Sequence, residues 1–303
     1  MIHTGDFFGV LRLDGIFTVT MYGTGAHVGH CVVAMWENGE LYIVESNDGA
    51  GPGFWPVDRI QKTRFKQWLK WAEYGGYSVV HMPLSPENRA KFNEKAAQDW
   101  FKSVQGLPYG YHNFLYGWVD TPDDNWPVFL GKNFVPVAFA LYERFNSNFT
   151  DTFYSAAINK HLGTEGLRIG ALAHEAGKRG LTLSEAMAIA EQDGWKYKGE
   201  YHDGLSMVCS SFVVNFWKAG GLFGDLNIVG QEWTPKDVYQ VDVFDKNFQR
   251  PAACQEADPD QPYCQILGKY RVTFPGYSSI PMYDHMNEKC PSVAPDYVRP
   301  DGC

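Results

Sequence analysis

The stretch Val208-Cys209-Ser210-Ser211-Phe212-Val213-Val214-Asn215-Phe216-Trp217-Lys218-Ala219-Gly220-Gly221 decides the predicted fold of this chain. Its apolar residues recur at helical spacing, and its two glycines end the segment. We predict a helix within 205–220, with Cys209 in or just before the first turn. The helix dipole and the N–H groups there favour a thiolate and can hold a developing oxyanion. The alternative is that Cys209 is a small buried hydrophobe, as free cysteines usually are.

A nucleophilic thiol needs a base and a group that orients the base. Two histidines lie on one predicted strand, and alternation puts His27 and His30 on opposite faces, so only one can face the helix. We predict His27, because its neighbours Ala26 and Gly29 leave room for a helix and a substrate. His30 is predicted to be a hydrogen-bonded core or surface residue. Glu45 ends the next strand and is the candidate that orients the imidazole, with a solvated strand-end charge as the alternative.

The first eighty residues are predicted to be rich in β-strands. Strands are predicted at 5–10, 16–22, 27–36, 41–45 and 77–82. Asn38-Gly39 is a strong hairpin signal. No helical crossover is predicted between the strands, so the sheet should be antiparallel.

Helices dominate the middle of the chain. Ser85 is the predicted N-cap of a helix that ends at Gly106-Leu107-Pro108. Further helices are predicted at 136–145 and 183–191, the second opened by Thr182 and Glu185 as a capping box.

These patterns divide the chain into three predicted parts. Residues 1–115 and 200–250 form the predicted core, and 116–199 form a helical insertion. Residues 251–303 form a cysteine-rich tail, in which Lys269 to Phe274 is a late strand that is a candidate to rejoin the core.

Four segments together resemble the permuted branch of the NlpC-type papain-like cysteine hydrolases, which includes relatives of lecithin retinol acyltransferase. They are Gly5-Asp6-Phe7-Phe8, Ala26-His27-Val28-Gly29, Gly106-Leu107-Pro108-Tyr109 and Val208-Cys209-Ser210-Ser211-Phe212-Val213. In permuted members the histidine precedes the cysteine, as it does here. The resemblance covers roughly residues 5–115 and 200–245, and Thr234-Pro235-Lys236-Asp237 is similar to a turn found after the nucleophile helix.

The resemblance implies an α+β fold, circularly permuted and papain-like, with an antiparallel sheet packed on the nucleophile helix. It implies that Cys209 is the nucleophile, His27 the base and Glu45 the third member. The candidate substrate-binding residues are Tyr109, Trp55 and Ser210, and Trp55 belongs to a loop that is expected either to rim the cleft or to be a plain surface loop. The family often has Ser where this chain has Ala26, which puts one hydrogen bond of the pocket in doubt.

The expected activity is hydrolysis of an amide bond through a covalent acyl-enzyme, with bacterial cell-wall peptide as one candidate substrate. The family also contains lipid acyl hydrolases and acyltransferases, so a lipid acyl substrate is the first alternative. A second alternative is an inactive papain-like module that only binds. The expected partners are therefore a peptide, a peptidoglycan fragment or a lipid acyl group.

Composition limits the function further. The formal net charge of −9 argues against nucleic-acid binding, because phosphate contacts need a basic surface. No apolar run reaches the roughly 18 to 20 residues of a membrane span, so no transmembrane segment is expected. The sequence has no glycine motif for nucleotides and no metal-hydrolase motif, so no cofactor and no metal are expected.

The cysteines indicate the compartment. Cys254, Cys264, Cys290 and Cys303 lie in the tail and are candidates for two disulfides, with three pairings open and a zinc site as the weaker alternative. Asn148 begins an Asn-Phe-Thr sequon and is a candidate glycosylation site. We therefore expect a secreted or lysosome-like location, with a leader missing from this sequence, rather than the cytoplasm.

Overall fold

The computed structural model describes residues 1–13, 15–48, 59–114, 133–191, 207–284 and 286. The strands are β1 (Phe7–Leu11), β2 (His30–Glu37), β3 (Glu40–Ser46), β4 (Ile60–Arg64), β5 (Ser78–Met82) and β6 (Cys264–Leu267). The helices are α1 (Gly15–Thr24), α2 (Phe65–Tyr74), α3 (Pro86–Lys91), α4 (Glu94–Val104), α5 (Phe134–Tyr142), α6 (Ser147–Thr150), α7 (Ala156–Leu162), α8 (Ile169–Gly177), α9 (Leu183–Glu191), α10 (Cys209–Ala219), α11 (Pro235–Gln240) and α12 (Ala252–Ala257). Short 3-10 helices span Tyr111–Phe114 and Gly230–Glu232, and a π-helical turn spans Asp151–Ser155.

The strands form one sheet in the order β4-β3-β2-β1-β5-β6, and every neighbouring pair is antiparallel. The β2–β3 hairpin turns at Asn38 and Gly39, which both have positive φ (51° and 78°), as a type I′ turn requires. This turn sets the register, in which Glu37 faces Glu40 and Val33 faces Val44. The predicted α+β class and antiparallel sheet are confirmed.

Helices cover both faces of the sheet, which is why β1 is buried throughout and β2 is buried from His30 to Met35. On one face, α10 and α4 pack against Phe7, Cys31, Val33, Met35, Val44 and Met82. On the other face, α1 and α2 supply Phe17, Trp68 and Ala72 and pack against Phe8, Val10, Val32, Ala34, Ile43 and Val79. Cys209, at the first residue of α10, therefore lies against β2.

A separate apolar cluster joins the helices of the middle region. Tyr154, Ile158, Leu172 and Met187 are completely buried in it. The predicted capping box is present, since Thr182 Oγ1 accepts from the Glu185 backbone N–H at 3.2 Å and donates to the Glu185 carboxylate at 2.8 Å. The division of the chain into a core, an insertion and a tail stays a prediction.

The predicted strand at 16–22 is wrong, because this segment forms α1. Its buried residues Phe17, Thr20 and Thr24 are spaced as on one face of a helix, and Thr24 Oγ1 donates to the Thr20 carbonyl at 2.7 Å. The β-branched residues of the segment favoured a strand, but packing of the Phe17 ring against Tyr77 and His30 outweighs that preference.

Three further elements differ from the prediction. The helix after Ser85 is two helices, α3 and α4, because Asn93 caps a new helix by accepting from the Ala96 N–H at 3.0 Å. The segment Lys269 to Phe274 is not a strand, and β6 pairs with β5 instead. The adjoining β4 and α2 were not predicted.

Cys254 and Cys264 form a disulfide that fastens α12 to the first residue of β6, with Cα atoms 5.5 Å apart. The other two candidates, Cys290 and Cys303, lie outside the described residues. Asn148 is exposed in the short helix α6. Among the described residues, no helix has the length and apolar character that crossing a bilayer requires.

Candidate active site

The start of α10 is held rigidly by the segment before it. Tyr109 and Met207 form a parallel bridge, and the Met207 carbonyl accepts hydrogen bonds from Ser46 Oγ at 2.6 Å and from the Gly110 N–H at 3.1 Å. Val208 is extended, and the helix begins at Cys209. Cys209 therefore lies where the helix dipole favours a negative charge.

His30 is the histidine beside this cysteine. It is the first residue of β2, is 7% exposed, and hydrogen-bonds to Cys209. Its Nε2 donates to Glu45 Oε2 at 2.7 Å. Because Nε2 faces Glu45, Nδ1 is the ring nitrogen left for the thiol.

Glu45 is held on its other side by α2. Its carboxylate is 1% exposed, and Oε1 accepts a hydrogen bond from Trp68 Nε1 at 3.2 Å. The predicted alternative, a solvated charge at the end of a strand, is wrong. The structure therefore forms a buried chain of contacts from Cys209 through His30 and Glu45 to Trp68.

His27, the predicted base, does not contact Cys209 in this way. Its side chain is exposed, and its Nδ1 lies 3.3 Å from Thr273 Oγ1. The prediction counted alternation from His27, but β2 begins only at His30, so the two histidines do not share one regular strand. The structure thus brings His30 rather than His27 into contact with Cys209, and the role of either histidine as the base stays a prediction.

The electrostatics of the pair favour an ion pair. Burial raises the pKa of Cys209, but hydrogen bonds from Cys31 and His30 and the positive charge of His30 outweigh it and bring the pKa well below its usual value. Burial lowers the pKa of His30, but hydrogen bonds with Cys209 and Glu45 outweigh it and raise the pKa to about 10. Near neutral pH, Cys209 is therefore a thiolate and His30 an imidazolium.

Tyr109 lies over the start of the helix. Burial raises its pKa well above the usual value, and the negative charges of Cys209 and Asp48 add to that shift, so the phenol stays neutral. The Cys209 backbone N–H donates to its hydroxyl. The phenol oxygen is therefore held beside the N–H group that an oxyanion would need, with its own O–H available to donate.

Aromatic rings continue from Tyr109 toward the helical region. Tyr109 packs on Tyr111 and Phe114, and both of these pack on Phe153, with ring centroids 5.0 to 6.0 Å apart. Tyr111 Oη also donates to the Asp48 carbonyl at 2.7 Å. This aromatic wall joins the segment next to Cys209 to the π-helical turn at Asp151–Ser155.

The other two predicted binding residues have different outcomes. Ser210 is fully buried, and its Oγ has no hydrogen-bond partner among the described residues, so it does not face a cleft in this structure. Trp55 lies outside the described residues. Cys209 itself is only 1% exposed, so the site is closed.

Sequence reasoning missed His30, Cys31 and Trp68, although a signal for His30 was present. The Asn38-Gly39 turn pairs Glu37 with Glu40, and counting back along the hairpin places Glu45 opposite Val32. Residues that face each other share a side of the sheet, so Glu45 lies on the same side as Val32 and His30.

The described residues contain no group of three or more His, Cys, Asp or Glu side chains arranged to hold a metal ion.

No protein-family model and no curated protein matches this chain. The metalloprotein yiiX from Escherichia coli O157:H7 (DUF1105), a solved crystal structure, is similar at 21% identity and a TM-score of 0.27, over 37% of this chain and 54% of that chain. This chain thus spans about half the length of that protein, and at this TM-score the similarity supports no conclusion about fold or activity.

Proposed function

We propose that this protein is a cysteine hydrolase that cleaves an amide bond through a covalent acyl-enzyme, on a permuted papain-like core. The observation that carries the proposal is the buried chain Cys209–His30–Glu45 at the start of α10. A structural cysteine needs neither a charged histidine nor a carboxylate behind it, and burying both is costly unless each is paired. Nucleophile, base and orienting group are the three parts that this chemistry requires.

The chemistry follows from the protonation states. The Cys209 thiolate attacks the carbonyl carbon, and the oxyanion is stabilised by the Cys209 N–H and the Tyr109 hydroxyl. The His30 imidazolium donates its proton to the leaving amine, which leaves a thioester on Cys209. Neutral His30 then takes a proton from water as the water attacks the thioester, and the acid and the thiolate are released. Glu45 stabilises the imidazolium before and after the cycle.

The aromatic wall formed by Tyr109, Tyr111, Phe114 and Phe153 favours a substrate with apolar or ring-shaped parts. Both a cell-wall peptide with its sugar and a peptide with large side chains meet that description. Because Cys209 is enclosed, side chains over the start of α10 must move before a substrate reaches the sulfur.

A lipid acyl substrate is the second candidate, and α1 favours it. This helix contains no charged residue and contacts the base through Phe17, whose ring lies 5.9 Å from that of His30. Its Val19 and Tyr22 side chains are 68% and 81% exposed. An uncharged, apolar helix beside the base would suit an acyl chain at a lipid surface.

The test compares Cys209→Ala, His30→Gln and the matched control His27→Gln on two substrate panels. One panel contains cell-wall peptides and amide-linked fluorogenic peptides, and the other contains fatty-acyl esters and phospholipids. We expect Cys209→Ala to abolish hydrolysis and His30→Gln to lower kcat/KM by about 10²- to 10⁴-fold, the usual contribution of an acid–base group. His27→Gln should stay within about twofold of the wild type, because its exposed ring takes no part in the chemistry.

The outcomes separate the candidates. The panel that is hydrolysed decides between amide and lipid ester. Full activity in Cys209→Ala would contradict the mechanism. No hydrolysis in either panel, together with iodoacetamide labelling of Cys209 no faster than that of a model thiol, would identify an inactive module that only binds.

A further inference from the structure

The proposed reaction leaves one reactive group of the site unused, the thiol of Cys31. Cys31 follows His30 on β2, is completely buried, and belongs to the same apolar cluster as Cys209. Its thiol hydrogen-bonds to the Cys209 sulfur, and so does its backbone N–H. The two sulfur atoms are therefore neighbours inside the core, between β2 and the start of α10.

The thiols of this pair differ in protonation. Burial raises the pKa of Cys31, and the hydrogen bond and negative charge of Cys209 raise it further, to well above the usual value. Cys31 therefore stays a protonated thiol that donates to the Cys209 thiolate. Disulfide formation by way of a sulfenic acid needs this combination, which is one easily oxidised thiolate and one thiol within reach to resolve it.

We propose that Cys209 and Cys31 form a peroxide-sensitive switch, in which hydrogen peroxide converts the pair to a disulfide and a thiol reductant restores the nucleophile. The disulfide is a property of the two cysteines, and only its effect on activity rests on the proposed function. A buried cysteine that merely filled the core would not need to contact the sulfur of another free cysteine.

The first step balances with groups of the site. The Cys209 thiolate attacks one oxygen of hydrogen peroxide, so that an S–O bond forms and the O–O bond breaks. The departing hydroxide takes the proton of the His30 imidazolium and leaves as water. Sulfur loses two electrons, and peroxide gains them.

In the second step the Cys31 sulfur attacks the sulfenic sulfur of Cys209. The S–S bond forms, the S–O bond breaks, and the hydroxyl group leaves as water with the proton from the Cys31 thiol. Two equivalents of an external thiol reverse the change by thiol–disulfide exchange, and they leave as their own disulfide. Peroxide is much smaller than a peptide, so it needs a smaller opening of the closed site than the substrate does.

The described residues offer Cys209 no other resolving thiol. Cys254 and Cys264 are bonded to each other, and Cys31 and Cys209 are the free cysteines of the described part of the chain. Without Cys31, a second molecule of hydrogen peroxide would oxidise the sulfenic acid of Cys209 to the sulfinic acid, which thiols do not reduce. Cys31 thus turns irreversible oxidation into a reversible block.

The experiment treats the reduced full-length protein with an excess of hydrogen peroxide and compares it with Cys31→Ser, which keeps a donor in place of the thiol. In the wild type, peptide mapping by mass spectrometry should find a peptide pair joined through Cys31 and Cys209. Iodoacetamide labelling of Cys209 should fall at least about tenfold and return after dithiothreitol. In Cys31→Ser, dimedone added together with peroxide should trap Cys209 as the sulfenic acid. In a second sample without dimedone, the excess peroxide should oxidise Cys209 to the sulfinic acid, and labelling should not return after dithiothreitol.

Each other outcome has a defined meaning. A wild-type protein in which Cys209 becomes sulfenic or sulfinic acid without a link to Cys31 would overturn the switch, and so would a link to any other cysteine. Formation of the link in a protein whose hydrolysis is unaffected by Cys209→Ala would leave the switch standing and remove the proposed function. If Cys31→Ser unfolds, Cys31→Ala provides the same comparison, with folding checked by circular dichroism.

Discussion

In the pair formed by Cys209 and His30, the thiol proton of the cysteine lies on the imidazole ring of the histidine. An isolated cysteine would keep that proton. Glu45 and the start of α10 both favour this arrangement, since one stabilises the imidazolium and the other the thiolate. The ion pair exists at pH values above the lowered pKa of Cys209 and below the pKa of His30 of about 10. The reactivity of the thiol should therefore be nearly constant over the whole neutral range.

We predict this constancy in the rate of alkylation of Cys209 by iodoacetamide. The wild-type rate constant should be flat from about pH 6 to pH 9 and fall only in more acidic solution, where the thiolate takes up a proton. In His30→Gln the thiol loses its partner, so its rate at pH 6 should drop by about 100-fold or more, as for a thiol with a pKa near 8.5. His27→Gln should keep the flat profile. A wild-type rate that rises tenfold per pH unit up to pH 8.5 would contradict the ion pair.

The site was only partly predictable from the sequence, for reasons that differ between residues. Cys209 was identifiable as the first helical residue because a helix start is a local pattern. His30 was hidden because the start of β2 depends on α1, which packs against Gly29 rather than continuing the sheet. The contact between Cys31 and Cys209 joins distant parts of the chain, and no local pattern reports it.

The helix α1 packs closely against Gly29, the residue just before β2. A Cβ atom on Gly29 would lie 2.7 Å from the Cα of Phe17, which is a backbone atom that cannot rotate away. Gly29 also donates its N–H to the Val10 carbonyl at 3.1 Å, so the strand cannot easily move either. This contact sets the position of the residue that follows it, His30.

We predict that Gly29→Ala separates α1 from β2. Overpacking of this kind should lower the free energy of unfolding by about 1 to 3 kcal/mol, and displacement of His30 should slow the alkylation of Cys209. Gly23→Ala is the matched control, because Gly23 lies in α1 with no atom within 4 Å of an added Cβ. It should be neutral or stabilise the protein by up to about 1 kcal/mol. Urea denaturation measures the free energy of unfolding of both variants. Equal changes for Gly29→Ala and Gly23→Ala would refute the close contact.

Element prediction succeeded where the signal was local and failed where packing decides. Asn38-Gly39, Ser85 and the pair Thr182 and Glu185 each specify a turn or a cap by their own chemistry, and each has the predicted role. The segment 16–22 has β-branched residues with a helical pattern of burial, so its conformation depends on Phe17 finding the sheet.

On the scale of the whole molecule, the last strand is secured by a covalent bond. β6 is an edge strand of four residues that pairs with β5 across a register shift between Val79 and Val80, so its backbone pairing is limited. The Cys254–Cys264 disulfide ties it to α12 across a sequence separation of 10 residues. The bond compensates for the short pairing.

We predict that breaking this disulfide lowers the free energy of unfolding by about 3 kcal/mol, the chain-entropy value for a loop of this size. Cys254→Ser, Cys264→Ser and the double variant should lose similar amounts in guanidinium denaturation, because each removes the same bond. If the loss in the double variant equalled the sum of the losses in the two single variants, the side chains would act separately and the bond would contribute little.

The hydrogen bond from Ser46 to the Met207 carbonyl joins positions 161 residues apart, and this separation has a consequence for biosynthesis. The β2–β3 hairpin, with both His30 and Glu45, leaves the ribosome long before α10 is made. The hairpin can form from local contacts, whereas docking of α10 must wait for the rest of the chain. The nascent chain thus contains an acid–base pair without a nucleophile. The Cys209 sulfur becomes reactive only when α10 docks, and the same step encloses it.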